Sequence, residues 1–104
     1  MKILFICNQN LNRSVTAQKL FGGRSKGLFR NEVTKEDLQW ADVVYVFEDF
    51  QISQIAERFP KEYLSLKFVN LDIPDIYNIK NEESRKELEK VLKEKMKNDN
   101  ANLR

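Results

Sequence analysis

Three observations predict an α/β layer fold with a mainly parallel sheet. Short runs of β-prone apolar residues alternate along the chain with stretches in which apolar residues recur every three or four positions. The two strongest runs contain no polar residue, as is typical of strands buried on both faces. No repeat, linker or low-complexity segment interrupts the alternation. Because 104 residues are enough for one core and too few for two, we expect a single domain over residues 1–104.

The first third of the chain predicts a central strand, a helix and a short edge strand. The apolar run at residues 3–6 is typical of a central strand in a parallel sheet. Ser14 is a favourable residue for starting a helix, and the apolar spacing after it predicts a helix that ends at Gly22. The polar stretch that follows allows at most a short edge strand, near Arg24 to Leu28.

The middle of the chain predicts a short helix, a second buried strand and a further helix. Thr34 and Asp37 have the spacing of a capping box, so a helix is expected to begin there. Residues 43–47 form another uninterrupted β-prone run and are expected to be an interior strand. Apolar residues on one helical face from Ile52 onward predict a helix that ends before Pro60.

The last third predicts one more strand, a turn and a charged helix. Residues 67–71 are expected to form a short strand, and Asp72 to Asp75 are turn-prone. Leu88 and Met96 belong to the apolar face of a helix rich in Lys and Glu, whose remaining surface we interpret as solvated. Residues 97–104 are expected to be the frayed polar end of that helix.

Composition excludes several classes of function. The 18 basic and 16 acidic residues nearly cancel at net +2, so we expect binding to neither nucleic acid nor a membrane surface. No run approaches the roughly 20 apolar residues of a spanning helix or resembles a signal peptide, which predicts a cytoplasmic protein. One cysteine and no histidine exclude an internal disulfide, an all-cysteine metal cluster and a histidine base, so proton transfer falls to a carboxylate. Nothing in the sequence indicates an oligomeric state.

The polar stretch from Cys7 to Ser14 has a thiol at one end and a guanidinium at the other. It lies between the first strand and the first helix, so its backbone N–H groups can converge on an oxyanion near the positive helix end. The same field favours the reactive thiolate form of cysteine. A lone cysteine after a buried strand is more often a small core residue. Arg13 and Ser14, at this spacing and at the start of a helix, instead favour a catalytic Cys7.

This arrangement predicts phosphoryl transfer to Cys7. The thiolate would attack phosphorus, backbone amides would hold the equatorial oxygens, and Arg13 would bind two of those oxygens. Ser14 would donate a hydrogen bond to the sulfur, both before attack and when water cleaves the thiophosphate. The amides expected in this role belong to Asn8, Gln9, Asn10, Leu11, Asn12 and Arg13.

Asparagines and a second strand end complete the predicted site. Asn10 is expected to hold the shape of the loop, because asparagine tolerates left-handed backbone angles and can bond within its own loop. Asn8 and Asn12 are also compatible with plain polar surface. The turn from Asp72 to Asp75 follows a strand, as Cys7 does, and the carboxyl ends of parallel strands meet at one edge of a sheet. Either aspartate could then transfer the proton, and the residues alone do not choose between them.

The motif C-x5-R-S at Cys7 to Ser14, placed after an N-terminal strand, resembles that of the low-molecular-weight protein tyrosine phosphatases. The likeness is closest to a short prokaryotic branch of that family, with W-A-D before the strand at 43–47 and D-I-P-D at Asp72 to Asp75. It extends, in order, over nearly the whole chain. The resemblance implies a four-stranded parallel sheet in the order 2-1-3-4 with helices on both faces, and no metal or cofactor.

The resemblance also implies roles for single residues. It makes Cys7 the nucleophile, Arg13 the phosphate clamp, Ser14 the partner of the thiolate, Asn10 the loop organiser and Asp75 the general acid. Tyr77 would form an aromatic wall beside the substrate ring. The implied reaction is hydrolysis of phosphotyrosine-like aryl phosphate monoesters, on a phosphorylated protein or a small molecule, through a phosphocysteine intermediate.

The chain departs from the family pattern at several places. Asn12 stands where many members have a second cysteine, Gln9 where glycine is frequent, and Ile76 where a proline usually follows the acid. The stretch between Gly22 and Val33 is shortened, which trims an edge strand and a loop that often contacts substrate. Two alternatives remain open: a phosphate- or phosphopeptide-binding module with little turnover, and an arsenate reductase that uses an external thiol.

Overall fold

The computed structural model describes residues 1–102, with side chains through Asp99. At its centre is a parallel sheet of four strands in the order β2-β1-β3-β4. The strands are β1 (Ile3–Cys7), β2 (Arg24–Gly27), β3 (Val43–Val46) and β4 (Lys67–Asn70). The α/β class and the strand order 2-1-3-4 are therefore confirmed.

Within residues 1–102, five helices connect and cover these strands. They are α1 (Arg13–Phe21), α2 (Lys35–Trp40), α3 (Asp49–Arg58), α4 (Pro60–Leu64) and α5 (Glu82–Asn102). The predicted capping box opens α2: Asp37 N donates to Thr34 Oγ1 at 3.1 Å, and Thr34 N donates to Asp37 Oδ2 at 2.9 Å. None of the five helices has the length and apolarity needed to cross a membrane.

The helices differ from the sequence prediction at several points. Helix α1 begins at Arg13, so Ser14 lies inside the helix and its hydroxyl is used in the site instead of as a cap. Pro60 ends α3 as predicted, but it also begins the unexpected helix α4, because proline suits the first turn of a helix. Helix α5 continues to Asn102 through the stretch where fraying was expected, and residues 103 and 104 lie outside the described part.

The two faces of the sheet bury separate clusters of apolar side chains. In β1 and β3, successive side chains point to opposite faces, so both central strands are buried on both sides. On one face, Phe5 and Tyr45 pack against α1 and α5, and on the other, Ile6 and Val44 pack against α2 and α3. Helices therefore cover both faces, as predicted. Tyr45 is a core residue, whereas Trp40 is only partly buried.

The chain after β4 turns back across the end of β3 toward β1. Leu71 N donates to the Val46 carbonyl at 2.8 Å, and Ile73 N donates to the Phe47 carbonyl at 3.1 Å. These two bonds extend the sheet pairing past the strand ends. They bring Asp75 from the edge of the sheet to the loop that follows Cys7.

Candidate active site

A small open cavity lies at the carboxyl end of β1. Its volume is about 90 Å³, and its lining consists of Cys7, Asn8, Gln9, Leu11, Asn12, Arg13 and Asp75. We refer to residues 8–13 as the site loop. In the part of the chain that the structure describes, the N–H groups of residues 8–12 donate to no other backbone group. They are therefore free to bind an oxyanion beside the N-terminus of α1.

The thiol of Cys7 lies at the end of β1 and is almost fully buried. Its Sγ is 2.9 Å from the Oγ of Ser14, which is buried in the first turn of α1. Asn10 has a φ of 52°, in the left-handed region expected from the sequence. Its Nδ2 donates to Ser14 Oγ at 2.9 Å, so Asn10 holds the serine without lining the cavity. The thiol, the hydroxyl and the loop-shaping amide are thus held as one group.

Arg13 is a charged residue that is only 2% exposed. Its Nη1 donates to Glu48 Oε2 at 3.0 Å and to the Ile73 carbonyl at 2.8 Å, and its guanidinium lies 5.5 Å from the centre of the Phe47 ring. These contacts compensate a buried charge that would otherwise be costly. Because Nη1 is occupied, the edge formed by Nε and Nη2 is the one that can bind two oxygens of a tetrahedral anion.

The geometry distinguishes between the two candidate aspartates. Asp75 lines the cavity, and its Oδ2 lies 3.8 Å from Arg13 Nη2. Asp72 is exposed and does not line the cavity; its backbone has a φ of 54°, and its N–H bonds to Asn70 Oδ1 at 2.8 Å. Asp72 is therefore a turn residue. Of the two, only Asp75 lines the cavity together with the thiol and the guanidinium.

Asn8 and Asn12 are not plain surface residues. Asn8 Oδ1 accepts a hydrogen bond from Gln51 Nε2 at 3.0 Å, and Asn12 Oδ1 accepts one from Ile79 N at 3.0 Å. The first bond ties the site loop to α3, and the second ties it to the segment that follows Asp75. Side chains on both sides of the loop therefore hold its shape.

Tyr77 does not stand where the resemblance would place a wall. It is absent from the cavity lining and packs, half-buried, against the core cluster on the Phe5 face of the sheet. Leu11 is the apolar side chain that lines the cavity, and it is 46% exposed.

Three residues that contribute to the site were not predicted. Glu48 lies two residues after the end of β3, so the strand-end argument applied to Cys7 could have found it. The fully buried Gln51 accepts from Phe47 N at 2.7 Å and from Glu48 N at 3.2 Å. Asn31 donates to Asn10 Oδ1 at 2.8 Å from a loop with no clear sequence pattern.

Comparison with known proteins identifies the fold. No family profile matches the sequence, and no curated protein sequence matches it significantly. Among solved structures, the tyrosine phosphatase Wzb from Escherichia coli K30, in complex with phosphate, superposes with a TM-score of 0.76 at 19% identity, over 93% of this chain and 94% of that one. The low-molecular-weight protein tyrosine phosphatase from T. tengcongensis gives a TM-score of 0.68 at 18% identity, over 95% and 99% of the two chains.

A third similar structure is the YwlE arginine phosphatase from Geobacillus stearothermophilus. Its TM-score is 0.64 at 22% identity, over 98% of this chain and 95% of that one. These structures share one architecture along nearly their full lengths. The chain has the fold of the low-molecular-weight protein tyrosine phosphatases, as its C-x5-R-S motif predicts.

Proposed function

We propose that this protein is a phosphatase that hydrolyses phosphate monoesters through a phosphocysteine intermediate. One observation supports the proposal above all: a single cavity is lined by a thiol, a buried guanidinium and a carboxylate, together with unpaired loop amides. These are the nucleophile, the charge compensation, the proton donor and the oxyanion cradle that phosphoryl transfer to sulfur requires.

In the first step, the thiolate of Cys7 attacks phosphorus while the bond from phosphorus to the leaving oxygen breaks. Asp75 gives its proton to that oxygen, so the product leaves as a neutral alcohol or phenol. The loop amides and the Nε and Nη2 groups of Arg13 hold the three equatorial oxygens in line for attack.

In the second step, water attacks the phosphocysteine. Asp75, now ionised, takes a proton from the water, and the bond between phosphorus and sulfur breaks. The hydroxyl of Ser14, 2.9 Å from the sulfur, stabilises the thiolate as it departs. Inorganic phosphate leaves and the original protonation states return.

The preferred substrate is an aryl phosphate such as a phosphotyrosine side chain. The half-exposed Leu11 gives the cavity an apolar contact that an aromatic ring can cover. Phosphoarginine is a second candidate, since one similar structure is described as an arginine phosphatase. In phosphoarginine the bond from phosphorus to nitrogen would break, and Asp75, which lines the cavity, would give its proton to the leaving nitrogen.

The direct test is hydrolysis of p-nitrophenyl phosphate at mildly acidic pH, followed by matched phosphotyrosine and phosphoarginine peptides. We expect the wild type to release phosphate and Cys7→Ser to release none, because a serine hydroxyl at this site is a far weaker nucleophile than a thiolate. Undiminished activity in Cys7→Ser would overturn the mechanism. Tight binding of phosphate or vanadate without any hydrolysis would instead favour a binding module.

A further inference from the structure

A line of hydrogen bonds runs from a surface lysine to the thiol, on the side of the site loop away from the cavity. Lys26 Nζ donates to Asn31 Oδ1 at 3.4 Å, and Asn31 Nδ2 donates to Asn10 Oδ1 at 2.8 Å. Asn10 Nδ2 then donates to Ser14 Oγ at 2.9 Å, and Ser14 Oγ lies 2.9 Å from Cys7 Sγ. We call these five side chains the relay.

The lysine determines the direction of every bond in the relay. An ammonium group donates hydrogen bonds and accepts none, so Asn31 presents its carbonyl oxygen to Lys26 and its NH₂ to Asn10. Asn10 is oriented in turn, with its oxygen toward Asn31 and its NH₂ toward Ser14. The serine oxygen therefore accepts from Asn10, which leaves its single hydrogen to be donated to the sulfur.

The backbone of the loop after β2 holds Asn31 in place independently of its side chain. Gly27 N donates to the Asn31 carbonyl at 3.1 Å, and Asn31 has a φ of 48°. Gly27 is paired with Cys7 in the sheet, and a side chain at Gly27 would lie only 3.0 Å from Asn10 N. The shortened loop therefore lies directly behind the site loop.

We propose that Asn31, together with Lys26, is a positioning residue that orients the relay so that Ser14 donates its hydrogen bond to the sulfur of Cys7. This role rests on the proposed function, in which the thiolate of Cys7 is the nucleophile. The charged groups around the thiol are Arg13 on the cavity side, its carboxylate partners Glu48 and Asp75, and Lys26 with its neighbour Asp37 at 3.9 Å. A change at Asn31 leaves all of them present.

Asn31→Asp tests the proposal because a carboxylate accepts hydrogen bonds only and so cannot donate to Asn10. Asn10 would then turn its NH₂ toward residue 31 and its oxygen toward Ser14, and the serine hydrogen would leave the sulfur. The measurement is the rate at which iodoacetamide alkylates the full chain, whose single cysteine gives no background. We expect alkylation to slow about tenfold near pH 6, in line with a lost charge-assisted hydrogen bond, and to equal the wild type near pH 10.

The matched control is Arg30→Gln, at an exposed neighbour of Asn31. It changes the net charge by the same amount and leaves the relay intact, so its alkylation profile should follow the wild type. An Asn31→Asp profile identical to wild type, an equal loss in Arg30→Gln, or a loss that persists at pH 10 would each overturn the relay. Because alkylation needs no turnover, a shifted profile in a chain without phosphatase activity would uphold the relay while the proposed function fails.

Discussion

At the scale of single residues, the buried Arg13 guanidinium is the group of the site that most needs partners within the protein. A charge that is 2% exposed must be paired, and Glu48 and the Ile73 carbonyl occupy its Nη1. The same pairing fixes the orientation of the guanidinium, with its Nε and Nη2 edge left to bind an anion. In the proposed mechanism, Glu48 therefore acts on the substrate through Arg13, without lining the cavity itself.

Glu48→Ala is expected to lower kcat/KM for p-nitrophenyl phosphate by about tenfold or more, the size of one lost hydrogen bond between charged groups. The reason is that Arg13 would keep only the Ile73 carbonyl as a partner of Nη1. Steady-state kinetics check this, with Glu57→Ala on the exposed side of α3 as the matched control. Equal kinetics in the two variants would show that Glu48 does not position Arg13.

Asp75→Asn should lower kcat for a phosphotyrosine peptide by roughly 10² to 10⁴, the usual contribution of a general acid. The loss should be smaller for p-nitrophenyl phosphate, because its leaving group needs less protonation. Asp72→Asn, in the same turn but outside the cavity, serves as the control and should behave like the wild type. A large loss of kcat in Asp72→Asn, with wild-type kcat in Asp75→Asn, would instead assign the general acid to Asp72.

At the scale of elements, the site depends on how the start of α3 is joined to the site loop. Gln51 accepts from two backbone N–H groups at the end of β3 and donates to Asn8. Gln51 is fully buried, so water cannot reach the three groups that it bonds. Its side chain supplies the hydrogen-bond partners that those buried groups need. One side chain thus holds strand, helix and loop together.

Gln51→Leu is expected to lower the free energy of unfolding by about 2 kcal/mol or more, since each buried partner left unpaired costs about 1–3 kcal/mol. Urea denaturation measures the change, and kcat/KM should fall with it because the loop loses its anchor at Asn8. Gln54→Leu on the same helix is the control, since the side chain of Gln54 bonds, among the described residues, only to the exposed Arg58. Equal stability of both variants would contradict the anchoring role.

At the scale of the whole molecule, a side-chain hydrogen bond adds to the apolar packing between the centre of the sheet and the last helix. Tyr45 is buried in β3, and its hydroxyl donates to Asp99 Oδ2 in α5 at 2.5 Å. Burial raises the pKa of Tyr45 well above its ordinary value of 10.0, and the hydrogen bond and negative charge of Asp99 raise it further. The folded protein therefore requires the protonated phenol.

This requirement makes stability depend on pH in a defined range. Unfolded tyrosine loses its proton near pH 10 and folded Tyr45 does not, so the contribution is complete below about pH 10 and declines as pH rises beyond it. Tyr45→Phe should remove this part of the decline when unfolding free energies are compared at about pH 8 and pH 11. Tyr63→Phe in α4 is the control, and an unchanged slope in Tyr45→Phe would refute the linkage.

The sequence by itself determined the α/β class and the placing of Cys7 and Arg13 at the two ends of one loop. These features depend on neighbours in the chain: an apolar run that must be buried, and a thiol and a guanidinium separated by one loop. The strand β3, predicted one residue too long at 43–47, and the capping box at Thr34 were predictable for the same reason. The spacing of residues close together in the sequence determines both features, independently of the elements that pack against them.

Only the tertiary structure decided which side chains surround the loop. Asp75 rather than Asp72 lies at the cavity because the chain after β4 bonds across the end of β3. Asn8 and Asn12 are anchors because Gln51 and Ile79, 43 and 67 positions away, bond to them. Partners so distant in sequence leave no periodic signal, and their meeting depends on strand order and on the path of loops, which packing of the whole chain selects.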